Sequence, residues 1–327
     1  MADPTAIALD LAVIVASVGA LWVGAKLLVE NAARIARRAG VSELVVGLTV
    51  VGFGTSTPEL TTSVGAALAG AGDIAVANVV GSNLFNVGII LGVVGVLRPI
   101  PSSRTLIRRD GAFMVAVSGL AALVVRDGLV GRTEGTVLVA LLVGYVALLA
   151  ARGTPDGTGA TTDDLASGTT NGVLPREDAE PTTRRSVAVA VAGLAVVLVG
   201  ANALVSSATG LARLAGVSEW AIGETVVAVG TSAPEIVTSV VATRRGASDL
   251  AAGNLVGSNV FNVLGILGVS AVVRPLAVSP VAFDAAVWLV ALSAFVVGLL
   301  ATRGRLTRPE GAVSVAVTVG RWLFDVL

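Results

Sequence analysis

Sixty residues of this chain occur twice. Residues 40–99 align without a gap to residues 216–275, at a constant offset of 176, and 36 of the 60 positions are identical. Gly54-Thr55-Ser56 returns as Gly230-Thr231-Ser232, and Pro58-Glu59 as Pro234-Glu235. Gly81-Ser82-Asn83 returns as Gly257-Ser258-Asn259, and Phe85-Asn86-Val87 as Phe261-Asn262-Val263. Whatever fold one copy adopts the other should share, so the chain has to be built as two like units joined together.

The composition says where those units fold. Charged residues make up 13% of the 327 positions, apolar residues 54%, and the mean hydropathy is +0.89. A soluble domain carries about 25% charge. A chain of this size could not cover itself with a polar surface, so it reads as an all-α integral membrane protein whose partner is the lipid bilayer. The absence of cysteine and histidine excludes disulfide scaffolds, thiol chemistry, structural zinc and histidine-based acid–base catalysis. Lys plus Arg equals Asp plus Glu at 22 each, so net charge points to no nucleic-acid partner.

A membrane helix needs roughly 20 apolar residues. Ten candidates lie near residues 7–29, 43–69, 74–97, 106–126, 134–151, 186–208, 219–243, 250–273, 281–301 and 309–326. With ten spans, sixteen basic residues fall on one side, among them Arg34, Arg37, Arg98, Arg184, Arg244 and Arg303, against five on the other. The positive-inside rule puts the richer side in the cytoplasm and both termini outside. The first span is read as a retained helix rather than a cleaved leader, because its start is acidic and no clean A-x-A site ends it. The long polar stretch between spans five and six is rich in Thr, Gly, Asp and Glu and is expected to be a disordered cytoplasmic linker.

The expected organisation is therefore a first five-helix repeat over 1–152, a linker over 153–185 and a second five-helix repeat over 186–327. Five is odd, so the second repeat enters the membrane from the opposite side. Ten transmembrane helices arranged as two inverted five-helix repeats are typical of secondary transporters, whose site lies at the midplane between the repeats. Duplication alone can also build a purely structural bundle. Here, however, the recurring segments hold the residues most costly to bury.

Glu59 falls near the middle of span two and Glu235 near the middle of span seven. A charge at that depth costs ~2.5–3.5 kcal/mol on insertion scales. No Lys or Arg is expected at the same depth, which leaves a proton or a cation to offset the charge. The neighbours favour a cation. Pro58 and Pro234 cannot donate to the carbonyls of Gly54 and Gly230, so each helix should break beside its glutamate. Thr55 shares a helix face with Glu59, Thr231 with Glu235, Ser82 with Asn86 and Ser258 with Asn262, each pair four residues apart. The result is a cage of carboxylates, hydroxyls, amides and carbonyls without sulfur or imidazole, which suits Ca²⁺ or Na⁺. Two carboxylates neutralise one Ca²⁺ or two Na⁺.

Plainer roles exist for the same residues. Gly47, Gly52 and Gly54 can serve close helix packing. A Ser or Thr in a membrane helix can bond back to its own backbone, and a lone buried Glu can be a protonated interhelical donor. Glu224 has Leu48 opposite it in the first copy and is read as peripheral, while Asp110 and Asp284 near span ends are read as interfacial.

The motif G-T-S-x-P-E followed by G-S-N-x-F-N, duplicated in inverted halves, resembles the repeats of the cation/calcium exchanger superfamily, and most nearly its prokaryotic sodium/calcium exchanger branch. The resemblance spans all ten helices. It implies an ion-binding core of spans two, three, seven and eight, with spans one and six sliding across it. It implies Glu59 and Glu235 as shared Ca²⁺ and Na⁺ ligands, with oxygens from Thr55, Ser56, Ser82, Thr231, Ser232 and Ser258. The backbone carbonyls of Gly52 and Ala228 would join them, with Asn86 lining the centre. Asn262 stands where many prokaryotic members carry Asp, although animal sodium/calcium exchangers carry Asn there. Ala77 stands where Gly is expected before Asn78.

The function implied is electrogenic antiport of Na⁺ for Ca²⁺ across the cell membrane by alternating access, with no cofactor and no enzymatic reaction. The alternatives are an H⁺/Ca²⁺ or K⁺-dependent antiporter of the same superfamily and, in a different class, a cation channel. The G-S-N segments disfavour the H⁺-coupled members, which tend to place an acid there.

Overall fold

The computed structural model describes residues 4–41, 43–101, 106–151, 183–215 and 228–326. Its framework is helical, as apolar runs in lipid require, because a helix satisfies its own backbone. Helix α1 (Pro4–Ala39) opens on a proline and ends with Arg37 and Arg38 before Gly40 at φ 65°. Then come α2 (Glu43–Thr55), α3 (Thr57–Ala69) and α4 (Gly72–Leu97). A wide turn, Leu106–Gly111, leads into α5 (Ala112–Val125), which α6 (Arg132–Ala151) follows. The second half holds α7 (Thr183–Leu214), α8 (Ala228–Thr231), α9 (Ala233–Arg244), α10 (Ser248–Val273), α11 (Val281–Arg303) and α12 (Arg308–Val326).

Six of these helices, α1, α4, α6, α7, α10 and α11, are long and apolar enough to cross a membrane. The other expected spans look different for local reasons. Span two is α2 and α3, separated at Ser56. Span seven is α8 and α9, and its first residues, like Glu224 and most of the 153–185 linker, lie outside the described residues. Span four is the wide turn plus α5. Span ten coincides with α12, which carries Arg308, Glu310 and Arg321.

The 176-residue offset reappears in three dimensions. Two-residue strands β1 (Ile100–Pro101) and β4 (Arg305–Leu306) pair antiparallel, as do β2 (Leu129–Val130) and β3 (Leu276–Ala277). Adding 176 to Ile100 gives Leu276 and subtracting it from Leu306 gives Val130, so one ladder maps onto the other. Gly70 and Gly246 share φ near 80°, each against the arginine that the offset predicts, Arg274 and Arg98. The loops form two sets. One joins β1–β4 with Gly246, Arg98 and the Arg245–Glu30 ion pair. The other joins β2–β3 with Arg274, which donates to the Leu68 carbonyl, and with Asp73, which accepts from Ser279. Helix α4 runs from the second set to the first and α10 runs the other way.

Helices α2 and α10 meet backbone to backbone. A Cβ on Gly257 would stand 2.3 Å from the Leu48 carbonyl oxygen, and one on Gly47 would stand 2.6 Å from that of Leu250. The packing role weighed for Gly47 is therefore real. It also brings α2's polar end against the polar middle of α10, which is buried along nearly its whole length. Asp110 departs from its interfacial reading. It is fully buried, and the Arg109 guanidinium donates to both of its oxygens at 2.8 and 3.2 Å. Its sequence neighbour supplies the counter-charge that makes this burial tolerable. Asp284 is exposed.

Candidate functional site

The site begins where two helices stop. Pro58 and Pro234 lie in the first turns of α3 and α9, and the residue before each helix leaves helical geometry: Ser56 at φ −79°, ψ 15°, and Ser232 at φ −84°, ψ 5°. Each break points a serine across to the other half. The Ser56 hydroxyl donates to Glu235 Oε1 at 3.0 Å, and the Ser232 hydroxyl donates to Glu59 Oε1 at 3.2 Å. Both glutamates and both serines are fully buried. The glutamates sit in the first turns of their helices, where backbone N–H groups and the helix dipole favour a negative charge.

Around them are the remaining residues expected at the site. Thr55 ends α2, fully buried. Its hydroxyl lies 3.0 Å from its own Val51 carbonyl and 3.2 Å from Asn254 Oδ1, so the bond back to the backbone is present together with a cross-helix contact. Thr231 ends α8 and is 6% exposed. The Ser258 hydroxyl donates to the Gly52 carbonyl at 3.1 Å. The matching bond from Ser82 to Ala228, the first residue of α8, is not made, because Ser82 Oγ has no partner. The carbonyl that Pro58 releases on Gly54 is not left bare. The Thr57 hydroxyl donates to it at 2.7 Å. Ala233 stands at the equivalent place in the second half and has no hydroxyl to do the same.

Two amides close the centre. Asn86 Nδ2 donates to Asn259 Oδ1 at 3.3 Å, and Asn262 Nδ2 donates to Asn83 Oδ1 at 2.9 Å. Asn83 Nδ2 in turn donates to the backbone carbonyl of Asn259 at 3.0 Å. A carbonyl can only accept, which fixes Asn83 with its oxygen toward Asn262 and so fixes Asn262 with its NH₂ toward Asn83. The Oδ1 atoms of Asn86 and Asn262 are left facing elsewhere. Both are buried without a hydrogen-bond partner, as are Glu59 Oε2, Glu235 Oε2 and Ser82 Oγ. Five acceptor-capable oxygens from the predicted residues are thus left unsatisfied, in a structure where buried polar atoms normally find partners. A hard cation satisfies such a set, whereas a further hydrogen-bond acceptor could not.

Asn86 and Asn262 lie in wide, π-type turns, Phe85–Ile90 and Asn262–Leu267, a distortion that often marks functional places in helices. A second layer holds the first. Asn78 Nδ2 donates to the Glu59 carbonyl at 3.1 Å and to Ser63 Oγ at 2.8 Å, while Asn254 Nδ2 donates to Ser239 Oγ at 3.0 Å. The sequence reading assigned no role to Asn78, Asn83, Asn254, Asn259, Ser63 or Ser239. Each is identical in both copies of the repeat, and that polar identity is the signal that could have found them. Met114, whose sulfur accepts from Asn259 Nδ2 at 3.4 Å, carried no such mark. Among the described residues no group of three or more acidic, histidine or cysteine side chains could hold a metal, so the site's formal charge comes from its two glutamates.

A cavity of about 200 Å³ beside these breaks is lined by Thr57, Pro58, Thr61 and Thr62, by Asn202 and Val205 of α7, and by Gly230 and Thr231.

Comparison with known proteins gives the family. The family model described as sodium/calcium exchanger protein matches residues 9–151 and 185–319. Inner membrane protein YrbG of Escherichia coli is 34% identical over 299 residues, covering 90% of this chain and 88% of that protein. Sodium/calcium exchanger MaX1 of Methanosarcina acetivorans is 31% identical over 318 residues, covering 89% and 91%. A solved structure of the sodium-calcium exchanger NCX_Mj superposes with a TM-score of 0.81 at 29% identity, covering 96% of this chain and 97% of that one. The chain belongs to the sodium/calcium exchanger family and is a multi-pass membrane cation antiporter rather than an enzyme.

Proposed function

We propose that this antiporter exchanges Na⁺ for Ca²⁺ by alternating access, with Glu59 and Glu235 as the shared charged ligands. The observation that carries the reading is the set of unpartnered buried oxygens on Glu59, Glu235, Ser82, Asn86 and Asn262. They are oxygen only, which fits Ca²⁺ and Na⁺ better than softer metals. Their charge of −2 matches one Ca²⁺ or two Na⁺. Thr55, Ser56, Thr231, Ser232 and Ser258, with the carbonyls of Gly52 and Ala228, complete the ligand set. An empty site would hold two facing carboxylates with no compensating charge, so it moves across the membrane only when loaded, and that requirement makes it an exchanger.

The reading includes ten spans in two inverted five-helix repeats, 1–152 and 186–327, around a linker. The ladders that interchange at the 176-residue offset and the antiparallel course of α4 and α10 support it. The arginine-rich loops and the linker then face the cytoplasm, both termini lie outside, and the protein resides in the cell membrane.

The test is direct. Proteoliposomes loaded with Na⁺ and diluted into Na⁺-free medium take up labelled Ca²⁺, and collapsing the Na⁺ gradient stops uptake. No uptake under an outward Na⁺ gradient overturns the reading. Uptake driven by a pH gradient alone, or only with K⁺ present, assigns a different counter-ion to the same site.

A further inference from the structure

The two halves hold equivalent helices in unequal environments. On α7, Leu198, Asn202 and Val205 line the cavity that reaches Thr231, together with Thr57, Thr61 and Thr62. Subtracting 176 places Trp22, Lys26 and Val29 of α1 opposite Ala233, Val237 and Thr238 of α9. That second set is closed at Val29, Ala233 and Thr238, while Trp22 and Lys26 are exposed. Val29 and Thr238 are each 1% exposed and Ala233 is 6% exposed, whereas Val205 and Thr62 are half-buried and Thr57 is exposed. Charged contacts join α1 to the end of α9 on this side. The Arg244 guanidinium lies over the Trp22 ring, 5.3 Å from its centroid, and Arg245 pairs with Glu30. Their offset counterparts, Leu68 with Leu198 and Ala69 with Ser206, can form neither contact.

Trp22, Lys26 and Glu30 are spaced four apart and so share one face of α1. The two outer members touch the C-terminal end of α9, so Lys26 lies on the face turned toward that end. In an inverted-repeat transporter the repeats exchange roles as access alternates. Building on the alternating-access reading above, we propose that Lys26 lines the second access route when it opens, at the arginine-rich end, in the position that Asn202 holds on the route seen open. The two routes then differ in chemistry. One is walled by three threonines and an amide. The other has Ala233 and Val237 in place of two of the threonines, with a fixed positive charge facing the path. Coulomb repulsion scales with the charge of the ion, so Lys26 opposes Ca²⁺ twice as strongly as Na⁺ in free energy. It therefore sets ion preference at that face alone.

The chain has no cysteine, so single-cysteine variants report accessibility without background. Asn202→Cys and Lys26→Cys are treated with a membrane-impermeant charged thiol reagent in right-side-out and in inverted membrane vesicles. We expect Asn202→Cys to react from one side and Lys26→Cys only from the other, and conditions that raise one rate lower the other. Reaction of both from the same side, or of Lys26→Cys from neither side, overturns the proposal. This readout needs no knowledge of the transported ions, so it stands or falls separately from Na⁺/Ca²⁺ exchange. Flux then tests the charge. Lys26→Asn lowers the half-saturating Ca²⁺ concentration at the arginine-rich face about threefold or more, with a smaller change for Na⁺ and none at the opposite face. Equal changes at both faces, or none at either, overturn the role given to the charge.

Discussion

The Ser56 hydroxyl donates to the Glu235 carboxylate at 3.0 Å, across the boundary between the two halves of the chain. Ser232 returns the bond to Glu59. Each half thus holds the other's carboxylate by a hydrogen bond. A hydrogen bond to a charged group is worth about 1.5–3 kcal/mol. Ser56→Ala is therefore expected to raise the half-saturating Ca²⁺ concentration by about tenfold or more, with Ser232→Ala giving a similar shift through Glu59. The measurement is Ca²⁺ uptake against concentration in proteoliposomes. Saturation unchanged from the native protein in both variants would mean that the crossed bonds do not position the carboxylates.

The carboxylates themselves should be indispensable. Glu59→Gln and Glu235→Gln keep size and one hydrogen-bonding oxygen but halve the charge available to a divalent ion. Loss of a buried charge partner costs roughly 3–5 kcal/mol, so Ca²⁺ transport is expected to fall roughly 100-fold or more. The proteins should still elute as single species in detergent, because removing a buried charge spares its desolvation. Near-native Ca²⁺ exchange in either variant removes the central assignment.

The close approach of α2 to α10 makes a stability prediction independent of transport. At Gly257 a Cβ would lie 2.3, 2.6 and 2.7 Å from the O, Cα and C of Leu48, all backbone atoms that cannot rotate aside. Gly257→Ala must push the two helices apart and should cost ~1–3 kcal/mol, read as a lowered thermal midpoint in detergent. Gly298→Ala on α11, where nothing lies within 4 Å, is the control and should be neutral or slightly stabilising. Equal midpoints for the two variants would contradict the packing described.

How far the sequence could be read depended on the kind of physics involved. The break before Glu59 was legible because Pro58 cannot donate a hydrogen bond wherever it sits. The fate of the carbonyl released there was not, since Thr57 can face the break or turn away, and only the fold decides. The convergence of Glu59 and Glu235 was legible from the repeat, but the crossing of Ser56 to the opposite glutamate needed the two breaks placed face to face. The wide turns at Phe85 and Asn262 carry no proline or paired glycines to announce them. The burial of Asp110 beside Arg109 was missed because two adjacent charges near a span end read as a solvated pair.

Tyr145 offers a test of an unsatisfied group outside the site. Its ring stacks on Phe113 with centroids 4.5 Å apart, yet its buried hydroxyl has no hydrogen-bond partner. An unpaired buried hydroxyl is a cost, so Tyr145→Phe keeps the stack and removes the penalty, about 1 kcal/mol. The thermal midpoint in detergent is expected to stay level or rise. A clear fall would reveal a partner for that oxygen.

The amide of Asn262 is held in one orientation. Its NH₂ donates to Asn83 Oδ1, and Asn83 cannot turn, because its own NH₂ is committed to the Asn259 carbonyl. A carboxylate at 262 would face an oxygen with an oxygen. Asn262→Asp can keep the bond only when its carboxyl holds a proton, as a donor in place of the amide. At low pH the variant should therefore transport like the native protein. As pH rises, the proton is lost, the bond to Asn83 breaks and the site gains a third negative charge. A divalent ion should then be held more tightly and released more slowly. The expected outcome is Ca²⁺ exchange that slows with rising pH in the variant by more than in the native protein, measured as turnover and half-saturating Ca²⁺ across pH 5.5 to 8.5. Superimposable pH profiles would show that the amide at 262 does not set the charge of the site.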